Sequence, residues 1–167
     1  GGHDNNTDTT DRYNAETKSW SPTGKLTSPR AHHAATLLPD GSVLVIGGSK
    51  PSCCGGLASA ERYDPATGSW SAAGRMNVGR YGHTATLLAD GSVLVAGGMT
   101  PAGASAGAER YDPKTGDWSS LPAMNSPRAY AAAVRLPGGD VLVAGASSQT
   151  VDITDYDGGL GTLCQRL

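Results

Sequence analysis

The stretch from Arg80 to Gly98, RYGHTATLLADGSVLVAGG, occurs again upstream as RAHHAATLLPDGSVLVIGG at Arg30 to Gly48. A looser version, RAYAAAVRLPGGDVLVAGA, runs from Arg128 to Ala146. Trp20, Trp70 and Trp118 recur in step, 50 and 48 residues apart. A period of this size belongs to an array of one supersecondary unit, repeated because a single unit cannot bury its own apolar face. Solenoids and propellers are the architectures that such an array builds.

The local chemistry of the unit narrows the choice. His83 to Leu88 is short and β-compatible, Ala89-Asp90-Gly91 interrupts it, and Val93-Leu94-Val95-Ala96 then runs into Gly97-Gly98. Asp-Gly between two such runs signals a hairpin, and a type I′ turn is expected, with both central residues at positive φ. The second run is apolar without alternation, as in a strand covered on both faces. A variable loop follows, then Glu61-Arg62-Tyr63-Asp64-Pro65-Ala66-Thr67-Gly68-Ser69-Trp70, matched by Glu109 to Trp118. In Asp-Pro-x-Thr-Gly the Asp bonds the backbone ahead, Pro presets φ and Gly takes the left-handed position. That turn joins a third strand ending at Tyr to a fourth carrying Trp. Four antiparallel strands per unit fit a blade of a β-propeller, with Tyr63, Trp70, Tyr111 and Trp118 suited to the seam between blades.

Taken in order, Arg, His, apolar hairpin, Gly-Gly, Tyr-Asp-Pro, Thr-Gly, Trp and then Met76 or Met124 resemble the kelch repeat. The likeness is to its bacterial, galactose-oxidase-like form, His-x-Ala-x-Leu-Leu-x-Asp-Gly-x-Val-Leu-Val-x-Gly-Gly. It covers nearly the whole chain and implies an all-β fold, a β-propeller sector of four-stranded antiparallel kelch blades. It says little about activity, because one such fold hosts many functions.

Residues 1–20 read as a half blade, with Gly1-Gly2 in the place of Gly47-Gly48 and Gly97-Gly98, and with Lys18 where Gly68 and Gly116 stand. Residues 30–70 and 80–118 are complete blades, and 128–167 is a degenerate one. There Gly138-Gly139 replaces Asp-Gly, and Tyr156, Gly161 and Leu163 align with Tyr63, Gly68 and Trp70. Half a blade plus about three falls short of the 4–8 blades typical of a closed propeller. A segment of a longer protein is therefore expected, with the remaining blades, or other copies of the chain, as partners at the open edges.

A net charge of −2 and a pI near 6.0 offer no basic field for nucleic acid, and no apolar run reaches membrane-spanning length. The chain has three cysteines, Cys53, Cys54 and Cys164, an odd number that cannot fully pair within one chain. Free or locally paired thiols, a metal site and an inter-chain disulfide all remain open. Galactose-oxidase-like proteins carry a cysteine pair in the corresponding loop, which implies an oxidising extracellular or periplasmic setting.

In a four-stranded blade the loops alternate ends. The loops after Gly-Gly and the Trp-to-Arg segments share one end, and the tight turns share the other. The post-glycine loops run 15, 13 and 10 residues from Gly48 to Tyr63, Gly98 to Tyr111 and Ala146 to Tyr156. Variable loops on a constant scaffold carry recognition, and the kelch resemblance points to the same end and places the first strand of each repeat innermost. The candidate ligand-binding residues are Arg30, His32, His33, Arg80, Tyr81, His83, Arg128 and Tyr130, for a protein or glycan ligand. Each also has a structural reading. The arginines suit loop carbonyls or the carboxylates of Glu61 and Glu109, and His33 and His83 suit buried structural roles. Gly47, Gly48, Gly97 and Gly98 are expected to be structural, as are the Tyr and Trp pairs. Asp4, Asn5, Asn6 and Asp8 are oxygen donors without the ordered spacing of a calcium loop.

In galactose and glyoxal oxidases a repeat of this type carries an adjacent Tyr-His pair that binds copper. The corresponding pairs here are His32-His33, Gly82-His83 and Tyr130-Ala131, none of which has both. A non-catalytic binding module with no cofactor is the expectation. The alternative is a scaffold sector of a secreted copper oxidase whose metal lies outside this segment.

Overall fold

The computed structural model describes residues 7–50 and 55–146. Asp4, Asn5, Asn6, Cys53, Cys54, Cys164 and the alignment of Tyr156, Gly161 and Leu163 lie outside the described residues. The fold is all-β. Strands β1 (Asp11–Asn14) and β2 (Ser19–Pro22) pair as a half blade. The first full blade is β3 (Ala34–Leu37), β4 (Val43–Ile46), β5 (Ser59–Asp64) and β6 (Ser69–Arg75), hydrogen-bonded in that order.

The second full blade repeats it with β7 (Thr84–Leu87), β8 (Val93–Ala96), β11 (Ala108–Tyr111) and β12 (Trp118–Leu121). A small hairpin in its post-glycine loop comprises β9 (Met99–Thr100) and β10 (Gly103–Ala104). Strands β13 (Ala132–Arg135) and β14 (Val141–Ala144) pair as the opening of a third blade. All pairings are antiparallel, and β7 packs between β3 and β13, so the first strand of each repeat is innermost.

The hairpin turn differs from expectation. Gly41 and Gly91 have φ of 83° and 85°, but neither Asp40 nor Asp90 has a positive φ. Gly41 N–H donates to Leu38 O (3.0 Å) and Leu38 N–H to Ser42 O (2.8 Å), so a type I turn is followed by a left-handed glycine at a bulge, not a type I′ turn. Pro39 presets the first central φ, and Asp40 is held by its own side chain, which accepts from the Ser42 hydroxyl (2.6 Å) and amide (3.1 Å). Asp90 and Ser92 repeat this bonding, and Leu136, Gly139 and Asp140 repeat the backbone pattern.

The Asp-Pro-x-Thr-Gly turns form as their residues dictate. Asp64 accepts from Ala66 N–H (2.8 Å) and the Thr67 hydroxyl (3.0 Å), and Gly68 has φ 71°. Lys18, in the glycine position of the half blade, takes the same left-handed conformation at φ 52°. In each unit the turn sets Tyr opposite Trp across the strands, with ring centroids 5.1 Å apart for Tyr63–Trp70 and 5.0 Å for Tyr111–Trp118.

Each Trp then ties its blade to the one before. Trp70 Nε1 donates to Gly24 O (3.1 Å) and Trp118 Nε1 to Ala73 O (3.3 Å). The core lies in the seam between the two full blades, built by Leu38, Leu44, Ile46, Val93, Val95 and Tyr111 among others. Strands β4 and β8 are covered as their unbroken apolar runs imply, but in β14 Leu142 is 52 % exposed. Among the described residues, the same Val-Leu-Val sequence is buried where a neighbouring strand and blade lie over it.

Candidate functional site

The loop end is assembled around the arginine that opens each repeat. Arg80 is buried, and its guanidinium donates to Gly97 O (2.8 Å), Gly107 O (3.0 Å) and the Glu109 carboxylate (2.8 Å). Arg30 does the same with Gly47 O (2.7 Å), Ser59 O (3.1 Å) and Glu61. The glutamates also collect loop amides, Thr27 N–H on Glu61 (2.7 Å) and Asn77 N–H on Glu109 (2.6 Å). For Glu61, burial pushes the carboxyl upward, and the Thr27 amide with the Arg30 guanidinium outweighs it, leaving the group below its usual range. Arg128 keeps the first of these bonds, to Gly145 O at 2.8 Å. Arg30 and Arg80 thus point into the blade and fasten its loops.

Blade joins blade through the glycine pairs. Gly48 N–H donates to Arg80 O (3.0 Å) and Gly98 N–H to Arg128 O (2.7 Å). A Cβ on Gly47 would stand 2.5 Å from Arg80 O and 2.7 Å from the His83 ring, so the seam closes only over glycine.

His83 is sealed in that seam, 7 % exposed, and neither ring nitrogen meets a partner in good hydrogen-bond geometry. Burial first, then the positive charge of Arg80 and the neighbouring His33, lower it to about 3. His33 shifts the same way, from burial and then Arg30. The folded state therefore takes up fewer protons at His83 than the unfolded chain, whose imidazole titrates near 6.5. Stability should be fully present above that value and fall as pH drops from about 6.5 toward 3. Urea melts across this window check it. His83→Gln should flatten the slope, and an unchanged slope would mean that His83 is not the group responsible.

Above these buried groups lies a cluster of rings, exposed at His32 and Tyr130 and half-buried at Tyr81. His32, Tyr81 and Tyr130 come from three successive blades, with centroids 6.2 Å apart for His32–Tyr81, 5.8 Å for His32–Tyr130 and 6.4 Å for Tyr81–Tyr130. A backbone chain holds them: Gly82 N–H donates to His32 O (2.9 Å) and Tyr130 N–H to Gly82 O (2.6 Å). His32, Gly82 and Tyr130 occupy one repeat position and share a left-handed φ of 52°, 61° and 56°. Bulky residues seldom adopt this conformation and hold it only where the surroundings impose it. At Gly82 a Cβ would come within 2.8 Å of the Tyr130 ring, so the glycine admits the tyrosine. Tyr81 is fixed from the other side by reciprocal backbone bonds with Met99 in the post-glycine loop (3.1 and 2.8 Å).

Of the eight sequence candidates, the structure thus exposes His32 and Tyr130 and packs the half-buried Tyr81 against them. It puts Arg30, Arg80 and His83 inside and leaves His33 and Arg128 half-buried. The left-handed backbone was not anticipated, although Gly82 in the best repeat marks the position.

The tight-turn end holds a feature that sequence reasoning missed. A cleft of about 410 Å³ lies between the full blades, lined by residues including Asp40, Asp90, Arg110, Asp112 and Lys114. Three of these five charges, Asp40, Asp90 and Arg110, are taken up in ion pairs. Arg110 bonds Asp90 (2.9 Å) and the Ser92 hydroxyl (2.9 Å), and Arg62 makes the matching pair with Asp40. The Ser92 hydroxyl and amide, followed by Arg110, hold the Asp90 carboxyl at about 2. Asp8 is paired with Lys25 at 3.5 Å. Among the described residues, no three His, Cys, Asp or Glu side chains are grouped as a metal ion would require.

Stacked four-stranded antiparallel sheets with their first strands innermost define a β-propeller sector. The kelch motif model matches residues 29–77 and 80–125, more than half of the chain, and the protein belongs to the kelch-repeat family. No curated protein matches it. Kelch repeats generally mediate protein binding, and no helix among the described residues is long and apolar enough to cross a membrane.

Proposed function

We propose that the chain is a non-catalytic binding module that takes a protein ligand at the loop end of the propeller, on His32, Tyr81 and Tyr130. The observation that carries this reading is the ring cluster itself. Three rings from three blades are held by cross-blade hydrogen bonds on a left-handed backbone that costs energy at His32 and Tyr130. Tyr side chains offer large amphipathic contact area at small entropic cost, which suits a recognition surface. The cleft at the other end is walled by turns of nearly the same sequence in each blade, so it offers less to distinguish one ligand from another. The cysteine pair Cys53-Cys54 and the resemblance to secreted propellers favour an extracellular or periplasmic setting, which a thiol count on the native protein tests.

The binding test starts from a displayed random-peptide library and a glycan array. For any ligand recovered, Tyr130→Ala and His32→Ala should each weaken affinity by about 1 kcal/mol or more, the threshold of a contributing interface residue. Lys114→Ala, at the tight-turn end, should leave it unchanged. A ligand lost only with Lys114→Ala would put the working face at the opposite end, and glycan hits without peptide hits would replace the ligand class.

A further inference from the structure

The cleft of about 410 Å³ between the two full blades is within the size of small-molecule sites. A residue that recurs in every blade is first a structural device, so departures from the repeat gathered at one place point to another role. The wall built by Tyr111 and the turn after it departs from its counterpart at Tyr63.

In the first full blade both oxygens of Asp64 are used within the turn, Oδ1 by the Ala66 amide (2.8 Å) and Oδ2 by the Thr67 hydroxyl (3.0 Å). In the second, Asp112 Oδ1 accepts from the Lys114 amide (2.9 Å), but the Thr115 hydroxyl accepts from the Asp117 amide instead (3.3 Å), and Asp112 Oδ2 is left unclaimed by the turn. Lys114 stands where the first blade has Ala66, and among the described residues its ammonium is in no ion pair. The Tyr63 hydroxyl shares a hydrogen bond of 2.7 Å with the Thr23 hydroxyl, whereas Ala73 takes that place for Tyr111 and leaves its phenol without that partner. Burial raises the Tyr111 phenol above its usual range; Arg62 opposes this and the Asp112 and Asp40 carboxylates add to it, so the group keeps its proton as a donor.

Asp40 and Asp90 are paired with Arg62 and Arg110. What the cleft offers a ligand is therefore one carboxylate and one ammonium, on Asp112 and Lys114, beside apolar surface from Leu38, Pro39 and Pro113. A small zwitterion answers both charges, and charge-assisted hydrogen bonds at each would fix its orientation. An anion alone would meet the Asp40, Asp90 and Asp112 carboxylates, and a cation alone would meet Lys114 and Arg110. We propose that the cleft binds a free α-amino acid with an apolar side chain, its ammonium on Asp112, its carboxylate on Lys114 and its side chain against Leu38, Pro39 and Pro113. A peptide carries its terminal charges at opposite ends of a chain, so this site differs from the loop-end surface in ligand as well as in place.

Titration of the full chain with L-leucine, followed by amide NMR, tests this. Saturable shifts are expected at Gly91, Asp112 and Lys114. N-acetyl-L-leucine and L-leucine methyl ester each lack one of the two charges and should bind roughly tenfold more weakly or worse, the scale of one hydrogen bond to a charged group. Asp112→Asn and Lys114→Gln should each weaken L-leucine binding to a similar degree. Asparagine keeps the oxygen that accepts the Lys114 amide, and Lys114 is exposed, so loss of the turn does not imitate the result. No saturable shift with L-leucine, equal binding of the N-acetyl or ester form, or binding indifferent to both substitutions would overturn the proposal.

Discussion

Replacing Glu109 with alanine should lower folding stability by about 3–5 kcal/mol, the cost of leaving one member of a buried ion pair without its partner. Arg80 and Glu109 side chains are 2 % and 3 % exposed, and the Arg80 charge would remain inside the blade. The amides of Asn77 and Val78 lose their acceptor in the same step. Combining Glu109→Leu with Arg80→Met removes the buried charge, yet it still strands those amides together with the carbonyl of Gly97, while Gly107 O keeps the Gly97 amide. The double variant should therefore recover only part of the loss. Urea melts on the single and double variants decide it, and a Glu109→Ala loss below about 1 kcal/mol would show that the network does not hold the blade.

Trp70→Ala should cost about 3 kcal/mol, the low end of the range for emptying a large aromatic site, because the indole is half-buried. The indole packs at a 46° tilt on Tyr63 and bonds Gly24 O in the segment that follows the half blade, so the substitution loosens a strand pair and a blade seam together. Trp20→Ala makes the contrast. Its ring lies 5.1 Å from Tyr13 but is 70 % exposed, and in dilute protein the loss should stay within about 1 kcal/mol. Equal losses would mean that the half blade is packed as well as the complete ones.

The repeat was legible because each blade obeys the same local chemistry. Asp64 and Gly68 make their turn from side-chain and backbone preferences alone, and Tyr and Trp follow from it. The turn type differs because Asp-Gly is followed by a serine, whose amide and hydroxyl bond the aspartate in both full blades, Ser42 on Asp40 and Ser92 on Asp90. Coverage was only partly legible, since β14 has the Val-Leu-Val of β8 but is half exposed. What a strand buries depends on its neighbour.

The candidate site was legible in residue type and less so in arrangement. The sequence marked His32, Tyr81 and Tyr130 alongside Arg30 and Arg80, but it could not separate rings that meet across blades from arginines that turn inward. The cleft at the tight-turn end was invisible because its walls, Asp40 and Asp90, belong to different blades and meet only when these stack.

The proposed role of this kelch protein is binding through the loop end of its blades. An amide NMR footprint of the protein with a saturating peptide from the displayed library tests it most directly. The account predicts shifts concentrated at His32, Tyr81, Gly82 and Tyr130, with Gly91, Asp112 and Lys114 unmoved. Shifts confined to Gly91, Asp112 and Lys114, with Tyr81 and Gly82 unmoved, would contradict it.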